Sequence, residues 1–407
     1  MKTVAIIISC DTKYPESVFL KQEFLRKCFK PLIVDISIGL DVPKGADISR
    51  EEVFESIGVD WETVKEKSKG ELIALMGDAI VAKIHSLFVS GKIDGVMSVG
   101  GVQNTLVSAK AMRALPLGVP KVIATTIASG KREFGSIVDD KDIVVIPSIS
   151  DFTGLNVITK MSMMHAVDCV AGMLLGGETA LKKRDGLTVG VSLMGVTNTG
   201  AQAAISELER YGVEAIGFHS TGVGGLIMDK LACEGFIDGI LDLNVHELAA
   251  EYFGGGFSYG RAKRLTDTIE NEIPMIVTPA GLDFVDYDVS SVPFDLSKRK
   301  YNMHNATLAH IKITKNEAIE IGRLFGNRIS KSKKEIQLLV PTEGFRANTR
   351  KGESLYDPEI DKCLLDTIMN SSGGKLCPCR IEGNLNDESW GKQAADKMLS
   401  LLERDKV

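Results

Sequence analysis

Short apolar runs alternate with amphipathic stretches along the whole chain. An apolar run too short for a helix predicts a buried parallel strand, and apolar residues at helical spacing predict a helix. The clearest example covers residues 93–129, where strands at Ile93–Val99 and Val119–Ala124 flank a helix at Thr105–Ala114. Strands that alternate with helices in this way are typical of α/β layers built around a parallel sheet.

The alternation runs through the chain twice, with a charged hinge at Lys182–Gly186 between the two series. A chain of 407 residues is also too long for one ordinary core. We therefore predict an α/β fold of two doubly wound (Rossmann-like) parallel-sheet domains, residues 1–184 and 185–407, with a cleft between them. We predict one long helical stretch at 61–90, in which Gly70 or Gly77 could introduce a break, and loops or irregular structure over 279–305.

Composition narrows the class of protein. The formal net charge is −6, which argues against the basic face that bulk nucleic-acid binding needs. No apolar run reaches the length of a transmembrane helix, and the strand-like start TVAIIIS lacks the layout of a signal peptide. Seven scattered cysteines fit reduced thiols, and the C-x-C at Cys377 and Cys379 lacks a second pair for zinc. We therefore predict a cytoplasmic protein that binds neither nucleic acid nor membrane and has no metal site of its own.

The glycine turn at Gly100 and Gly101 is the first candidate site. It follows a predicted strand and precedes a predicted helix, so its N–H groups suit an anion such as phosphate. Lys13, in the loop after the first strand, could neutralise a phosphate, and Asp11 could hold a magnesium ion or a ribose hydroxyl. The alternatives are that the glycines only permit a tight turn, that Lys13 is solvated and that Asp11 caps a helix.

Standard phosphate motifs are incomplete in this chain. Gly130 and Lys131 match part of a Walker A pattern, but its first glycine and its final hydroxyl are missing. Gly222 and Gly224 begin a G-x-G-x-x-G pattern in which Ile227 replaces the third glycine. The sequence therefore does not predict a P-loop, and it argues against NAD.

The second half carries a different set of candidates, which lie near predicted strand ends. These are His219, Glu247, Asp283 and His304. A histidine together with carboxylates at one sheet edge is what general acid–base catalysis requires, and it would also suit a divalent metal. The alternative is that each histidine is a hydrogen-bonded packing residue.

Taken in order, several short motifs resemble one family. They are DTK with Glu16, Gly100-Gly101 with Thr105, ALPLGVPKV at 114–122, Ala128-Ser129-Gly130, Asp151 with Gly154-Leu155-Asn156, FHSTGVGG, LDLNVHEL at 241–248, PAGLDFVDY, His304-Asn305 and LVPTEGF. The chain thus resembles the uncharacterised two-domain family related to the plant tobamovirus-resistance protein, which is known as an ATP-binding family.

The resemblance implies ATP with Mg²⁺ in domain one, a catalytic cleft in domain two and a homodimer. The implied nucleotide site comprises Asp11, Lys13, Gly100, Gly101, Thr105, Thr126, Ser129, Gly130 and Asp151. One departure concerns the glycine turn, where a family pattern resembling G-G-x-G-G-T reads GGVQNT. Gln103 and Asn104 are therefore expected to add bulk where phosphates would approach.

Our main hypothesis is a nucleotide-binding enzyme that acts on a small metabolite in the cleft, with phosphoryl transfer as the natural chemistry because positioning and Mg²⁺ do most of it. Two alternatives stay open. The protein could be a non-catalytic regulatory module that binds a nucleotide or metabolite, or an ATP-independent lyase or isomerase that uses the domain-two acids.

Overall fold

The structure is a computed structural model that describes residues 1–39, 45–128, 135–177, 181–183, 185–260 and 264–404. The chain forms two compact units, Met1–Lys182 and Lys183–Val407. We call them unit 1 and unit 2 and describe each separately.

Unit 1 has one parallel sheet with the strand order β2-β1-β3-β4-β5. Its strands are β1 (Thr3–Ile8), β2 (Lys30–Asp35), β3 (Gly95–Gly100), β4 (Lys121–Thr125) and β5 (Val144–Pro147). Its helices are α1 (Tyr14–Arg26), α2 (Arg50–Glu55), α3 (Trp61–Val64), α4 (Lys69–Val89), α5 (Val102–Arg113), α6 (Gly135–Val138) and α7 (Val157–Leu175).

Both faces of this sheet are buried, because alternate residues of each strand point to opposite sides. In β1, Ala5 and Ile7 pack with α2 to α5, whereas Ile6 and Ile8 pack with α1 and α7. The near-continuous apolar run of β1 is thus explained by two cores, one on each face. This arrangement confirms the predicted doubly wound α/β fold for unit 1.

Two helices of unit 1 are long and apolar enough to cross a membrane by length and composition alone, namely Lys69–Val89 and Val157–Leu175. Each packs one face against the sheet, through Met76 and Ile80 of α4 and through Met163 and Val167 of α7. Both therefore have the setting of core helices in a soluble α/β protein.

Unit 2 has a parallel sheet with the order β14-β13-β9-β8-β6-β7, and thus confirms the second predicted parallel-sheet domain. Its strands are β6 (Thr188–Leu193), β7 (Glu214–His219), β8 (Gly239–Asp242), β9 (Met275–Val277), β13 (Ile336–Pro341) and β14 (Leu376–Ile381). Its helices are α8 (Asn198–Arg210), α9 (Gly224–Cys233), α10 (His246–Phe253), α11 (Thr266–Glu270), α12 (Lys315–Ile329), α13 (Pro358–Ser371) and α14 (Glu388–Arg404).

A small antiparallel sheet in unit 2 corrects the prediction of loops and irregular structure over 279–305. It has the order β10-β12-β11, with β10 at Phe284–Asp288, β11 at Tyr301–Met303 and β12 at Leu308–Lys312. Val285, Tyr287, Ala309 and Ile311 form its own apolar cluster. Aspartates alternate with apolar residues in β10, and for this reason the sequence was interpreted as a polar loop.

The predicted helical stretch at 61–90 is also two helices rather than one. Ser68 ends the connection between α3 and α4, because its hydroxyl and the Glu71 side chain form a capping box at the start of α4. The break therefore lies at a capping serine, before both glycines that suggested a break. Residues 65–68, which are rich in lysine, form an irregular segment between α3 and α4, beside the carboxyl edge of the sheet.

Candidate functional site

A cavity of about 640 Å³ opens at the carboxyl edge of the unit 1 sheet. The chain leaves β1 toward β2 on one side, and β3 lies on the other side of β1. This is a topological switch point, where the loops diverge and leave a crevice that binds ligands in open α/β sheets. The cavity is lined by Ser9, Asp11, Thr12, Lys13, Ile38, Gly39, Lys65, Glu66, Lys67, Lys69, Leu72, Gly101, Val102, Gln103, Asn104 and Asp151.

The start of α5 forms one wall of this cavity. Gly101 is its N-cap residue and provides no side-chain hydrogen bond to the first turn. The first N–H groups of a helix lack intrahelical partners and carry partial positive charge. Thr105 stabilises the turn. Its hydroxyl donates to the Gly101 carbonyl at 2.8 Å and shares a 2.6 Å hydrogen bond with the hydroxyl of Thr125.

Asn104 lines the cavity and also has a structural role that the sequence did not suggest. Its side chain is buried, and its Oδ1 accepts hydrogen bonds from the backbone N–H and the hydroxyl of Ser9 at 3.1 and 3.0 Å. Its Nδ2 donates to Ser98 Oγ and to the Val99 carbonyl, both at 2.8 Å. Asn104 therefore ties the ends of β1 and β3 together at the cavity. Gln103 lines the cavity, as expected from the sequence.

Lys13 and Glu16 shape the opposite wall. The Lys13 ammonium donates to the carbonyl of Phe152, and Glu16 Oε1 accepts from the backbone N–H of Gly154 at 2.9 Å. These two contacts hold the loop that places Asp151 on the cavity. Lys13 thus combines a positive charge at the site with a structural contact.

Three lysines at the cavity were absent from the sequence prediction, namely Lys65, Lys67 and Lys69. Lys65 pairs with Glu62 at 2.5 Å, and Lys67 lies 3.7 Å from Glu71. The run KEKSK was the available signal, but it was included in a helix and so was not considered as a loop over the sheet edge.

The predicted nucleotide-site residues fall into four groups. Asp11, Lys13, Gly101 and Asp151 line the cavity, and Gly100 and Thr105 lie buried in the turn beside it. Thr126 follows β4, and its backbone N–H donates to the Gly100 carbonyl at 3.2 Å. Ser129 and Gly130 lie outside the described residues.

In unit 2, Glu247 belongs to a buried cluster of three carboxylates around one guanidinium, which we call the Arg264 cluster. Arg264 donates to Asp229 at 2.9 Å and to both Asp242 and Glu247 at 2.7 Å. All four side chains are at most 5% exposed. The cluster explains why residue 225 is a glycine, because a Cβ on Gly225 would lie 2.0 Å from Nη1 of Arg264.

One carboxyl of this cluster holds its proton near neutral pH. Burial raises the pKa of Asp242 to about 7, and Asp229 and Glu247 raise that pKa too, whereas Arg264 opposes the shift. A single guanidinium cannot balance three charged carboxylates in a desolvated site. The cluster is therefore close to a proton equilibrium at physiological pH.

This pKa shift predicts a pH-dependent stability. The ordinary pKa of an unfolded aspartate is about 3.9, so the folded protein retains a proton that the unfolded chain has lost between about pH 4 and 7. The stabilisation is full below about pH 4 and is lost as the pH rises through 7. We expect the free energy of unfolding of the wild type, relative to Asp242→Asn, to fall by about 2–3 kcal/mol between about pH 5 and 7.5. Urea unfolding at both pH values measures this difference, and parallel pH profiles for the two proteins would contradict it.

Asp283 belongs to a second buried group, the Asp283 cluster, with Arg346, Lys312 and Asp361. Arg346 Nη2 donates to Asp283 at 2.9 Å, and Lys312 Nζ bridges Asp283 at 2.8 Å and Asp361 at 2.5 Å. Burial opposes the charged form of Asp283, but Arg346 and Lys312 outweigh it and lower the pKa of that carboxyl. Asp283 is therefore a fixed anion within an ion-pair network rather than a proton acceptor.

His304 is an exposed residue at the end of a stack of rings in unit 2. Its ring stacks on His310 at 4.9 Å, His310 lies 4.9 Å from Phe284, and Phe284 stacks on His246 at 3.9 Å. Burial, reinforced by nearby Arg346, lowers the pKa of His310 to about 3, so that ring is neutral.

The buried end of the stack carries a charge pair. His246 Nδ1 donates to the Gly281 carbonyl at 2.7 Å, and Nε2 lies 3.2 Å from Asp286. Burial opposes protonation of His246, but Asp286 outweighs it and raises the pKa of the imidazole. The sequence pattern LDLNVHEL contains this histidine, yet only Glu247 was selected from it, because the burial of neighbouring side chains is invisible in the pattern.

His219 lies apart from these groups. It is exposed at the end of edge strand β7, where its Nδ1 lies 3.1 Å from the hydroxyl of Thr221. Residue 224 must be glycine for a steric reason, because a Cβ on Gly224 would lie 2.0 Å from the His219 carbonyl oxygen. The four predicted catalytic residues thus have different surroundings: two are in buried ion clusters, one is in the ring stack and one is on an exposed edge.

At the switch point of the unit 2 sheet, between β6 and β8, several polar groups have hydrogen-bond partners within the protein. The first turn of α8 donates its Thr199 N–H to Asn386 Oδ1 at 2.9 Å, where a ligand anion would otherwise bind. The Ser192 hydroxyl donates to Asp242 at 2.5 Å and accepts from the backbone N–H of Asn244 at 2.8 Å. Among the residues that the structure describes, no group of three or more His, Cys, Asp or Glu is arranged to hold a metal ion.

Comparison with known proteins gives matches over most of the chain. Residues 2–179 match the N-terminal domain and residues 187–402 the C-terminal domain of an uncharacterised protein family, UPF0261. A UPF0261 protein of Clostridium tetani is 32% identical over 406 residues, which cover 99% of this chain and 100% of that protein. The ToMV susceptible protein tm-1(GCR26) of Solanum lycopersicum is 30% identical over 340 residues, covering 82% of this chain and 45% of that protein.

Among solved structures, a UDP-N-acetylglucosamine 2-epimerase from Rickettsia bellii is 12% identical and covers 68% of this chain and 78% of its own. Its TM-score of 0.22 is too low for any inference about a shared site.

Proposed function

This chain belongs to the uncharacterised protein family UPF0261, and we propose that it is a nucleotide-binding protein that holds a phosphate-bearing ligand in the unit 1 cavity. ATP with Mg²⁺ is the first candidate ligand. The observation that carries the proposal is the cavity of about 640 Å³ at the switch point between β1 and β3.

The cavity has the groups that a phosphate needs. The uncapped start of α5 supplies backbone N–H donors, and Lys13, Lys65, Lys67 and Lys69 supply positive charge. Hydrogen bonds to charged groups contribute about 1.5–3 kcal/mol each, so a few of them suffice for micromolar affinity. A phosphate chain along the β3–α5 turn would meet these donors together.

Magnesium fits this site only together with the nucleotide. Asp11 and Asp151 are the carboxylates that could reach a phosphate-bound ion. Mg²⁺ commonly keeps several waters and binds through one or two carboxylates plus the phosphates of its ligand. An Asp11 carboxylate could instead accept a hydrogen bond from a ribose hydroxyl.

Thermal unfolding of the full chain with and without Mg²⁺-ATP tests the proposal, with NAD as the control ligand. A ligand at one hundred times its Kd stabilises by about 2.7 kcal/mol, which corresponds to a shift of about 5–10 °C for units of this size. We expect a shift with Mg²⁺-ATP and none with NAD. No shift at millimolar ATP would overturn the assignment of this nucleotide.

Lysine substitutions test the location of the ligand. Lys69 is exposed at the start of α4, so Lys69→Ala is expected to weaken ATP binding about tenfold without unfolding the protein. Lys92 is equally exposed but precedes β3, at the opposite edge of the sheet, so Lys92→Ala is the matched control. Equal ATP affinity in both variants would place the nucleotide elsewhere.

Lys13→Ala should weaken ATP binding more than Lys69→Ala does, because it also releases the loop that carries Asp151.

A non-catalytic regulatory module is the second candidate function, and one observation favours it. Glu247 and Asp283 are held in buried ion clusters, so neither carboxylate is exposed to a substrate. Phosphoryl transfer would then require acceptor groups other than these two. Release of ADP from ATP in the presence of small hydroxy and carboxylic acids would favour the enzyme, whereas ATP binding without turnover would favour the module.

A further inference from the structure

A second cavity, of about 720 Å³, lies in unit 2 at the carboxyl end of β13. Its walls are the loop after β13, the first turns of α13 and Arg380 on the adjacent strand β14. The LVPTEGF motif of the sequence forms part of this loop. The carboxyl ends of parallel strands are where α/β sheets bind ligands. Beside β6, the Thr199 N–H in the first turn of α8 already donates to Asn386.

The loop that forms this cavity has a fixed shape. Gly344 has φ +101°, and a Cβ there would lie 2.6 Å from the Thr349 carbonyl oxygen. The backbone N–H of Arg346 donates to the Thr349 hydroxyl at 3.1 Å, and Asn384 Nδ2 donates to the carbonyls of Glu343 and Arg346 at 2.8 and 3.1 Å. These contacts give the cavity wall its shape before any ligand binds, which lowers the entropic cost of binding.

Asp361 is a largely buried acid that lines the cavity. Its side chain is 13% exposed, and Lys312 Nζ donates to Oδ1 from behind at 2.5 Å. Within the described part of the chain, Oδ2 is left for a ligand. Burial raises the pKa of Asp361 to about 6, with Asp283 also raising it and Lys312 opposing the shift. The side chain is therefore largely a carboxylate at neutral pH and can accept a hydrogen bond from a ligand hydroxyl.

The charged side chains around the cavity favour a monoanion. Four cations line it, Arg350, Lys351, Lys362 and Arg380, against three acids, Glu343, Asp361 and Asp366. Four positive and three negative charges leave a formal excess of +1, which suits a small anion such as a carboxylate. Arg350 pairs with Asp387, and Lys362 pairs with Asp366. In the described ranges, Arg380 and Lys351 have no such ion pair, so they are the cations available to a ligand.

From this arrangement we propose that the unit 2 cavity binds a small hydroxycarboxylic acid. Arg380 and Lys351 hold the carboxylate, Asp361 accepts the hydrogen bond of the hydroxyl, and the carbon chain packs against Leu365 and Tyr356. The site lies wholly in unit 2, so this proposal does not depend on the nucleotide proposed for unit 1.

The test is ligand-observed NMR on the full chain with L-lactate, glycerate and 3-hydroxybutyrate as probes. Butyrate, which lacks the hydroxyl, and inorganic phosphate are the comparison probes. We expect at least one hydroxy acid to bind, butyrate to bind about tenfold more weakly, and phosphate not to displace the hydroxy acid. No binding of any hydroxy acid up to about 10 mM, or equal binding of butyrate, would overturn the proposal.

Two variants locate the site, since Arg380 is exposed on edge strand β14 and Asp361 is near the start of α13. Arg380→Met and Asp361→Asn are each expected to weaken hydroxy-acid binding about tenfold, and Asp361→Asn should abolish the preference over butyrate. Arg210→Met, on the exposed face of α8, is the matched control and should leave binding unchanged. Unchanged affinity in both cavity variants, with intact folding by circular dichroism, would overturn the proposal. Lys69→Ala should alter only ATP binding, so the failure of one proposal is distinguishable from that of the other.

Discussion

Arg264→Met is expected to lower the free energy of unfolding by about 3–5 kcal/mol, or to prevent unit 2 from folding. Among the residues that the structure describes, Arg264 is the one cation paired with Asp229, Asp242 and Glu247, and its side chain is 1% exposed. Its removal leaves three desolvated carboxylates that repel one another. They must either take up protons or bring in water, and both responses cost stability.

Urea unfolding at neutral pH measures this loss, with Arg323→Met as the control. Arg323 pairs with Glu320 on the exposed face of α12, so its replacement should change the free energy of unfolding by less than about 1 kcal/mol. A lower pH should partly rescue Arg264→Met, because protonation then neutralises the carboxylates. An Arg264→Met protein as stable as the control variant would contradict the assignment of Arg264 as the charge balance of this cluster. If Arg264→Met fails to express in folded form, Arg264→Lys supplies the measurement, with a smaller expected loss.

Gly200→Ala is expected to destabilise unit 2 by about 3 kcal/mol, at the upper end of the usual cost of overpacking. A Cβ on Gly200 would lie 1.9 Å from the Leu385 carbonyl oxygen, and the Cβ of a residue at Gly391 would lie 2.0 Å from the Gly200 carbonyl oxygen. Helices α8 and α14 thus meet backbone to backbone. The obstructing atoms belong to the main chain, so no side chain can rotate away.

Gly172→Ala is the matched control for this substitution. Gly172 also lies within a helix, but a Cβ there has no neighbour within 4 Å. Alanine at such a position should stabilise by about 0.5–1 kcal/mol, because glycine loses more backbone entropy on folding. Thermal unfolding of both variants should therefore show shifts of opposite sign. A Gly200→Ala protein at least as stable as the wild type would show that α8 and α14 can move apart.

The glycines next to the Arg264 cluster were noticed in the sequence, but their role was not explained there. The glycines of FHSTGVGG looked like a fragment of a nucleotide motif, yet Gly224 and Gly225 make room for a strand carbonyl and for Arg264. A glycine that permits close approach is indistinguishable in sequence from one that contacts a phosphate. Only the partner across the gap decides between the two.

The sequence by itself determined the α/β class and the two parallel sheets. Those properties follow from local periodicity, because buried parallel strands are short continuous apolar runs and their connecting helices repeat about every 3.6 residues. The family was indicated separately, by the resemblance of several short motifs taken in order. The strand β1, with Ile6 and Ile7 buried on opposite faces, is such a run. The sequence also placed Asp11, Lys13 and Gly101 at one edge, because the carboxyl ends of parallel strands meet there.

Only the tertiary structure decided which polar residues have partners. Asn104 joins β1 and β3 through the hydrogen bonds of its side chain. Asp283 is a fixed anion between Arg346 and Lys312. Arg346 lies 63 residues beyond Asp283 in the chain, so no local pattern could pair them. The ionisation of a carboxyl depends on its burial and on the charges within a few ångströms, and both come from the packing of segments distant in sequence.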